Sequence, residues 1–205
     1  GRVSSAKNGG GIAGENKEGG LMEHVLSDTL VLNATGDDKP QYFGGIAGTN
    51  SGTITNATNE SSVTAEDATY VGGIAGENTA TGELTGTLTN IGTVKGKANV
   101  GGLAGINKNL LIGSEEEHLK VTNTGTVTAN EGSAGGIFYE NEGEIKYAEL
   151  TNRGTINGKG QESTGGLFGK NSGTITDSKL TNSGEVTGGR NTGGLIGENT
   201  GTITD

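Results

Sequence analysis

The chain has 205 residues, with 24 Asp and Glu against 14 Lys and Arg, a net charge of −10 and no cysteine. The lack of cysteine excludes a disulfide scaffold, a zinc ribbon and a thiol nucleophile, and the acidic balance disfavours a nucleic-acid partner. Only 29% of residues are hydrophobic and 3% aromatic, which argues against a wide globular core. No apolar run approaches the roughly 18 residues of a membrane span, so we expect no membrane insertion in this segment.

One heptapeptide recurs seven times along the chain. It consists of two glycines, isoleucine or leucine, an apolar residue, usually glycine, any residue and asparagine. The copies are 28–34 residues apart and begin at Gly10, Gly44, Gly72, Gly101, Gly135, Gly165 and Gly193. A repeat of this length is typical of a stacked array, in which each unit buries its apolar face against the next.

Two further short segments follow each heptapeptide. The first resembles Thr53-Ile54-Thr55, and the second, about nine residues later, resembles the run Leu88–Val94. Both alternate polar residues with β-branched or aliphatic ones, which predicts strands. No segment is a convincing helix, and the best helical candidates are Leu21–Leu26 and Glu115–Lys120.

Three strands in each repeat are compatible with antiparallel hairpins, as in a β-prism or propeller, or with one continuous coil. We favour the coil: an all-β, right-handed parallel β-helix of about seven turns of about 30 residues with three short strands each. Ile46 is then expected over Ile74 and Leu103. Right-handedness follows from the general preference of parallel crossovers. Residues 1–205 are expected to form a single β-helical segment, and their incomplete terminal repeats predict a fragment of a longer array.

The asparagine that closes each heptapeptide forms a column of seven residues. A row that binds glycans or ions is one interpretation, but a structural ladder of stacked amides is the better one. The members of this ladder are Asn16, Asn50, Asn78, Asn107, Asn141, Asn171 and Asn199. A second column with the same interpretation consists of Asn59, Asn90, Asn123, Asn152 and Asn182.

The fourth heptapeptide position changes along the chain from alanine to Phe138, Phe168 and Ile196. Strict alternation would place these three side chains outside as an apolar contact stripe, a feature that often marks a binding surface. The alternative is a corner that turns both the third and the fourth residue into a wider core.

Two repeats are stretched to 34 residues. The added residues are expected to protrude as loops at Asn33–Phe43 and Leu110–Lys120. Loops on a rigid scaffold commonly carry recognition, so these two are the first candidates for binding.

The remaining polar residues do not indicate chemistry. Asp37 and Asp38 are the only adjacent aspartates, His24 and His118 stand alone, and Glu115–Glu117 is best explained as a solvated charge run. We therefore expect no catalytic site, no metal site and no cofactor, and we do not expect an enzyme.

The core of the heptapeptide resembles the GLUG motif of bacterial surface proteins. Gly102-Leu103-Ala104-Gly105, Gly166-Leu167-Phe168-Gly169 and Gly194-Leu195-Ile196-Gly197 match it, and Gly73-Ile74-Ala75-Gly76 matches with isoleucine for leucine. Gly136-Ile137-Phe138-Tyr139 lacks the last glycine, so that turn is expected to be distorted. The resemblance implies an extracellular β-helical stalk of the kind found in haemagglutinin-like adhesins and immunoglobulin A-specific metallopeptidases.

Three functional hypotheses follow. The first is a structural or adhesive stalk segment of a large secreted or surface protein, a virulence-type cell-adhesion module. Its partner would be a host-cell protein or glycan, or a neighbouring bacterial cell. The second is the non-catalytic repeat region of an immunoglobulin A-type metallopeptidase, and the third is a β-helical polysaccharide-active enzyme. A His-Glu-x-x-His motif in the parent protein would favour the second, and clustered carboxylates on one face would favour the third.

Overall fold

The backbone coils into a parallel β-helix, in which each strand pairs with strands one repeat before and after it. The computed structural model describes residues 1–28, 31–34 and 41–205. Within those ranges every strand pair is parallel and no helix occurs. Ile46 N donates to Ile74 O at 3.0 Å and Ile74 N donates to Leu103 O at 2.8 Å. The stacking of these residues is therefore confirmed, and the antiparallel alternative is wrong.

The heptapeptide contributes two strands because its Gly-Gly-Ile corner bends the chain. The first stack of strands ends at the first heptapeptide glycine and contains Asn8–Gly10, Tyr42–Gly44, Tyr70–Gly72, Asn99–Gly101, Ala134–Gly135, Ser163–Gly165 and Asn191–Gly193. The second stack ends at the asparagine and contains Ala13–Asn16, Ala47–Asn50, Ala75–Asn78, Ala104–Asn107, Phe138–Asn141, Phe168–Asn171 and Ile196–Asn199.

The rest of each turn supplies up to three more strands. The third stack contains Leu111–Ile112, Glu144–Lys146, Thr174–Thr176 and Thr202–Thr204. The fourth stack contains Leu21–Glu23, Leu26–Ser27, Thr53–Asn59, Glu83–Asn90, Leu119–Asn123, Ala148–Asn152 and Lys179–Asn182. The fifth contains Val63–Ala65, Val94–Gly96, Val127–Ala129, Ile156–Gly158 and Val186–Thr187, and Arg2–Ser5 pairs separately with Val31–Ala34. The predicted three strands per turn are thus too few, because corners divide the predicted segments.

Two narrow apolar columns fill the interior. One lies between the second, third and fourth stacks and includes Ile74, Leu84 and Leu88, and the other lies between the first and fifth stacks and includes Val71 and Val94. Asparagines of the second column and heptapeptide glycines separate them. For example, a Cβ atom on Gly73 would lie only 2.3 Å from Asn90 Oδ1. Glycine therefore lets the two backbone layers approach each other.

The apolar contact stripe is wrong. Phe138 and Phe168 are fully buried, with ring centroids 6.0 Å apart, and Ile196 is half-buried against the same core. The reason is the corner at the third heptapeptide residue, which directs Ile137 and Phe138 both inward. The expected distortion at Tyr139 is also wrong, because Phe138 keeps its register with Ala104 and Phe168.

Neither helical candidate forms a helix, and the stretched repeats contain both strand and loop residues. Leu21–Glu23 and Leu26–Ser27 are strands, and Glu115–Lys120 leads from a loop into a strand. In the first stretched segment, residues 33–34 and 42–43 belong to strands, and residues 35–40, with Asp37 and Asp38, lie outside the described residues. In the second, Leu111–Ile112 and Leu119–Lys120 are strand residues, so the loop itself is Gly113–His118.

Candidate functional site: an interrupted ladder and an inserted loop

The two asparagine columns are internal ladders, and they provide no recognition surface along most of the rod. In the first, each Nδ2 donates to the next Oδ1 at 2.8–2.9 Å, from Asn16 through to Asn199. Asn78 Nδ2 also donates to Gly82 O at 2.9 Å, which fixes the orientation of the amide. The residues Asn50 to Asn171 of this column are at most 1% exposed. The structural interpretation is confirmed for these residues, and the glycan- or ion-binding one is wrong.

Turns are numbered below by the heptapeptide that they contain, so turn three begins at Gly72 and turn four at Gly101. The backbone ladder of the third and fourth stacks is interrupted between these two turns. The strand Glu83–Asn90 of turn three pairs with turn four only from Thr87 onward. Leu111–Ile112 of turn four pairs with turn five but not with turn three. The edges Glu83–Thr85 and Leu110–Ile112 therefore face each other without a β-ladder.

The cause of the interruption is Asn109. The equivalent position, two residues after the heptapeptide asparagine, is glycine at Gly52, Gly143, Gly173 and Gly201. A Cβ atom on any of these last three would lie 2.0 Å from a carbonyl oxygen of the turn below, much closer than van der Waals contact. Asn109 has a Cβ, so turn four cannot approach turn three as closely as the other turns approach their neighbours.

Hydrogen bonding at this point reflects the larger separation. Elsewhere the carbonyl of this glycine accepts a backbone N–H of the next turn, as when Glu83 N donates to Gly52 O at 2.8 Å. Gly82 O instead accepts the Asn109 side chain, with Nδ2 at 2.9 Å. The side chain thus bridges the separation at one end, and the strand edges beyond it remain open.

The open edges border a cleft with two adjacent parts, which share Ile112 in their linings. The first, of about 250 Å³, is lined by Glu83, Thr85, Asn109, Leu110 and Ile112. The second, of about 360 Å³, continues from Ile112 beneath the loop and is lined by Asn56, Gly86, Thr87, Ile112, Gly113, Ser114, Glu117, His118, Leu119 and Lys120.

The loop Gly113–His118 is an insertion at the corner between the third and fourth stacks. In the adjoining turn a single residue forms this corner. In turn five the corner between the third and fourth stacks is Tyr147 alone, in a left-handed conformation with φ of 50°. The pairs Ile112–Lys146 and Leu119–Ala148 on either side keep their register. Six residues therefore replace one without disturbing the strands.

Tyr147 and internal hydrogen bonds order this loop. Tyr147 OH donates to Glu115 Oε1 at 3.0 Å, and Tyr147 O accepts from Leu119 N at 3.0 Å. Ser114 Oγ accepts from Glu117 N at 2.9 Å, which closes a turn within the loop. The three glutamates are exposed, so the loop presents negative charge from a fixed position.

A second polar cluster lies between turns five and six. Tyr139 OH donates to Glu162 Oε2 at 3.1 Å, and Lys170 Nζ lies 3.3 Å from the same carboxylate. These contacts lower the pKa of Glu162, whereas burial raises the pKa of Tyr139, with a further contribution from Glu162. Burial, then repulsion by Glu142, raises the pKa of Glu140. Because Tyr139, Glu162 and Lys170 satisfy each other, we interpret this cluster as structural.

The substitution Asn109→Gly is expected to close the interrupted ladder. New backbone hydrogen bonds, each worth about 1 kcal/mol, outweigh the lost side-chain bond and the entropy of glycine, for a net gain of about 1 kcal/mol in the free energy of unfolding. The reverse change, Gly143→Asn, should destabilise the chain by about 2 kcal/mol, because its Cβ meets Asn109 O. Urea unfolding measures both, and a destabilised Asn109→Gly chain would contradict this explanation.

The remaining candidate residues do not converge on a reactive site. His24 occupies a left-handed corner with φ of 51°, and His118 lies at the end of the inserted loop. In the part of the chain that the structure describes, no group of three or more histidine and acidic side chains is arranged to hold a metal ion. No helix of the described residues is long and apolar enough to span a membrane.

The repeat register alone does not identify this site. Gly52, Gly143, Gly173 and Gly201 stand two residues after their heptapeptide asparagine, but Glu18, Ala80 and Asn109 all depart from glycine at this position. The structure shows that Gly20 and Gly82 take the place of the glycine in turns one and three, which leaves Asn109 as the exception. A comparison of the chain with protein-family models, curated proteins and solved structures finds no match.

Proposed function

We propose that this chain is a segment of the structural and adhesive stalk of a large bacterial protein that is secreted or displayed on the cell surface. The observation that carries the proposal is the ordered loop Gly113–His118, which projects from a corner of an otherwise regular rod. The resemblance of the repeats to the GLUG motif supports the extracellular location and the role.

The scaffold suits a load-bearing stalk. Backbone ladders and two amide ladders link each turn to the next along the rod axis, so tension is shared by many parallel hydrogen bonds. The apolar columns are filled by side chains such as Leu84, Leu103 and Leu150. With its interior filled by these side chains, the rod would bind partners on its outer surface, and no catalytic role is proposed.

The proposed recognition surface is the loop with its adjoining cleft. Its partner would be a host-cell protein or glycan, or the surface of a neighbouring bacterial cell. The loop contributes three glutamates to a chain with a net charge of −10, which favours a partner with a basic surface and disfavours nucleic acid. In a stalk with many repeats, weak contacts of this kind gain strength through multivalency.

Excision of the loop tests this function. Replacing residues 113–118 with a single asparagine recreates the one-residue corner that Asn56 forms in turn two, with φ of 51°. We expect beads coated with the intact chain to adhere to epithelial-cell monolayers, and we expect at least a tenfold loss of adhesion after the excision. The melting temperature should stay within a few degrees, because the flanking strand register is preserved.

The excision removes three negative charges together with the loop, so a control variant must lose the same charge and keep the loop. The triple variant Glu15→Gln, Glu18→Gln and Glu23→Gln removes three exposed negative charges from turn one. It should adhere as the intact chain does. Beads that fail to adhere in any form, or that adhere equally after the excision, would refute the adhesive role of this loop.

A further inference from the structure

We propose that the interruption between turns three and four accepts an extended polypeptide by strand addition, and that the preferred segment is basic with apolar side chains at alternate positions. The inference rests on the proposed adhesive function, since it names the class of partner that the same site would bind. It excludes a glycan as the occupant of the cleft.

The open strand edges supply the main interaction. Glu83–Thr85 on one side and Leu110–Ile112 on the other have no ladder between them, although both belong to continuous sheets on their far sides. Unpaired sheet edges are templates for an added strand, whose backbone hydrogen bonds provide affinity that is independent of sequence. Only the Asn109 side chain crosses the interruption, through its bond to Gly82 O.

The side chains of the edge Leu110–Ile112 indicate which side-chain pattern a partner strand would need. Leu110 and Ile112 are 47% and 43% exposed, while Leu111 between them is fully buried. Residues two apart on a strand lie on the same face, so the two exposed side chains form a short apolar row. A parallel added strand would cover this row with its own alternate side chains.

The charges around the cleft favour a basic segment. Glu83 lies at one end, and Glu117 lies at the other with Glu115 and Glu116 beside it in the same loop. Lys120 is the one lysine among the residues that line the two parts of the cleft, and no tyrosine, phenylalanine or tryptophan lines either part. Sugar rings commonly stack on such aromatic faces, so their absence from these linings favours a polypeptide.

The size of the cleft matches a short strand. The two parts, of about 250 and 360 Å³, extend from Glu83 past the corner at Gly86. At about 3.3 Å per residue, four or five extended residues would span this length. Entry of a strand must widen the opening, because two strands that flank a third stand about twice 4.8 Å apart. Between the two edges the Asn109 bond to Gly82 O opposes such widening, and the ladders on either side of the cleft keep turns three and four paired.

Three labelled heptapeptides test the inference by fluorescence anisotropy against the intact chain. The basic peptide Lys-Thr-Val-Thr-Val-Thr-Lys should bind at least tenfold more tightly than its version with glutamate at both ends. A third version with proline at the central position cannot complete the backbone pairing and should bind at least tenfold more weakly than the first. Equal binding of all three peptides, or no binding by the basic one, would overturn the inference.

Two variants of the chain locate the binding. Asn109→Gly should close the edges and lower the affinity for the basic peptide at least tenfold. Asn130→Gly, at a bend elsewhere in turn four, should leave this affinity unchanged. Undiminished binding to the Asn109→Gly chain would overturn the proposed location. If coated beads adhere but no peptide binds, strand addition fails and the adhesive role stands. If a peptide binds in an Asn109-dependent way but beads do not adhere, the adhesive role fails and strand addition stands.

Discussion

Replacing Asn123 with alanine is expected to lower the free energy of unfolding by about 3 kcal/mol, because it breaks the second amide ladder at its centre. Asn123 is fully buried, and its Nδ2 donates to Asn152 Oδ1 at 2.7 Å and to Gly125 O at 2.9 Å. It also accepts from Asn90 Nδ2 at 2.7 Å. Alanine would leave three buried polar groups each short of a partner, at about 1 kcal/mol or more each.

The neighbouring variant Thr122→Ala provides the control. Thr122 is half-buried beside the ladder and points to the opposite face of its strand. It should change the free energy of unfolding by less than about 0.5 kcal/mol. Urea unfolding of the two variants measures the difference, and an Asn123→Ala chain as stable as Thr122→Ala would show that the ladder contributes little.

Gly102→Ala is expected to cost about 3 kcal/mol, because it drives a methyl group into a backbone that cannot yield. The added Cβ would lie 2.1 Å from Gly136 O and 2.6 Å from the amide carbon of Asn123. Both neighbours are fixed, Gly136 by its N–H bond to Gly165 O at 3.3 Å and Asn123 by its ladder. Separating the two backbone layers would break these contacts on both sides.

Gly194 offers a matched control at the same heptapeptide position. A Cβ atom on Gly194 would have no neighbour within 4 Å. Gly194→Ala should therefore be neutral or stabilising by up to about 1 kcal/mol, since alanine lowers the entropy of the unfolded chain. Equal losses from Gly102→Ala and Gly194→Ala in thermal unfolding would mean that the close approach of the layers is not what requires glycine.

The sequence alone could predict the stacking of the repeats and the burial of their asparagines. A residue that recurs at one position in every turn faces its own copy, so an amide there can bond to the next amide. The same logic predicted Ile46 over Ile74. It also placed the second insertion correctly, although only Gly113–His118 of the expected Leu110–Lys120 leaves the strands.

The corners could not be predicted from alternation. A period of two assumes an uninterrupted strand, and the heptapeptide corner interrupts it between Gly72 and Ala75. Hence two consecutive side chains, such as Ile137 and Phe138, both point inward, and the apparent contact stripe is core. The interrupted ladder depends on a single contact, the distance between a Cβ at position 109 and the turn below, which requires coordinates.

Amide hydrogen exchange at the two facing edges tests the central claim most directly. If Asn109 holds turns three and four apart, the amides of Leu84 and Ile112, which point into the interruption, should exchange faster in the intact chain than those of Ile145 and Ile175, which lie in strands paired with the next turn. Asn109→Gly should then slow exchange at the edges at least tenfold and leave Ile145 and Ile175 unchanged. Edge amides that are already as protected as Ile145 in the intact chain, or that do not respond to the substitution, would contradict the interruption and the binding site built on it.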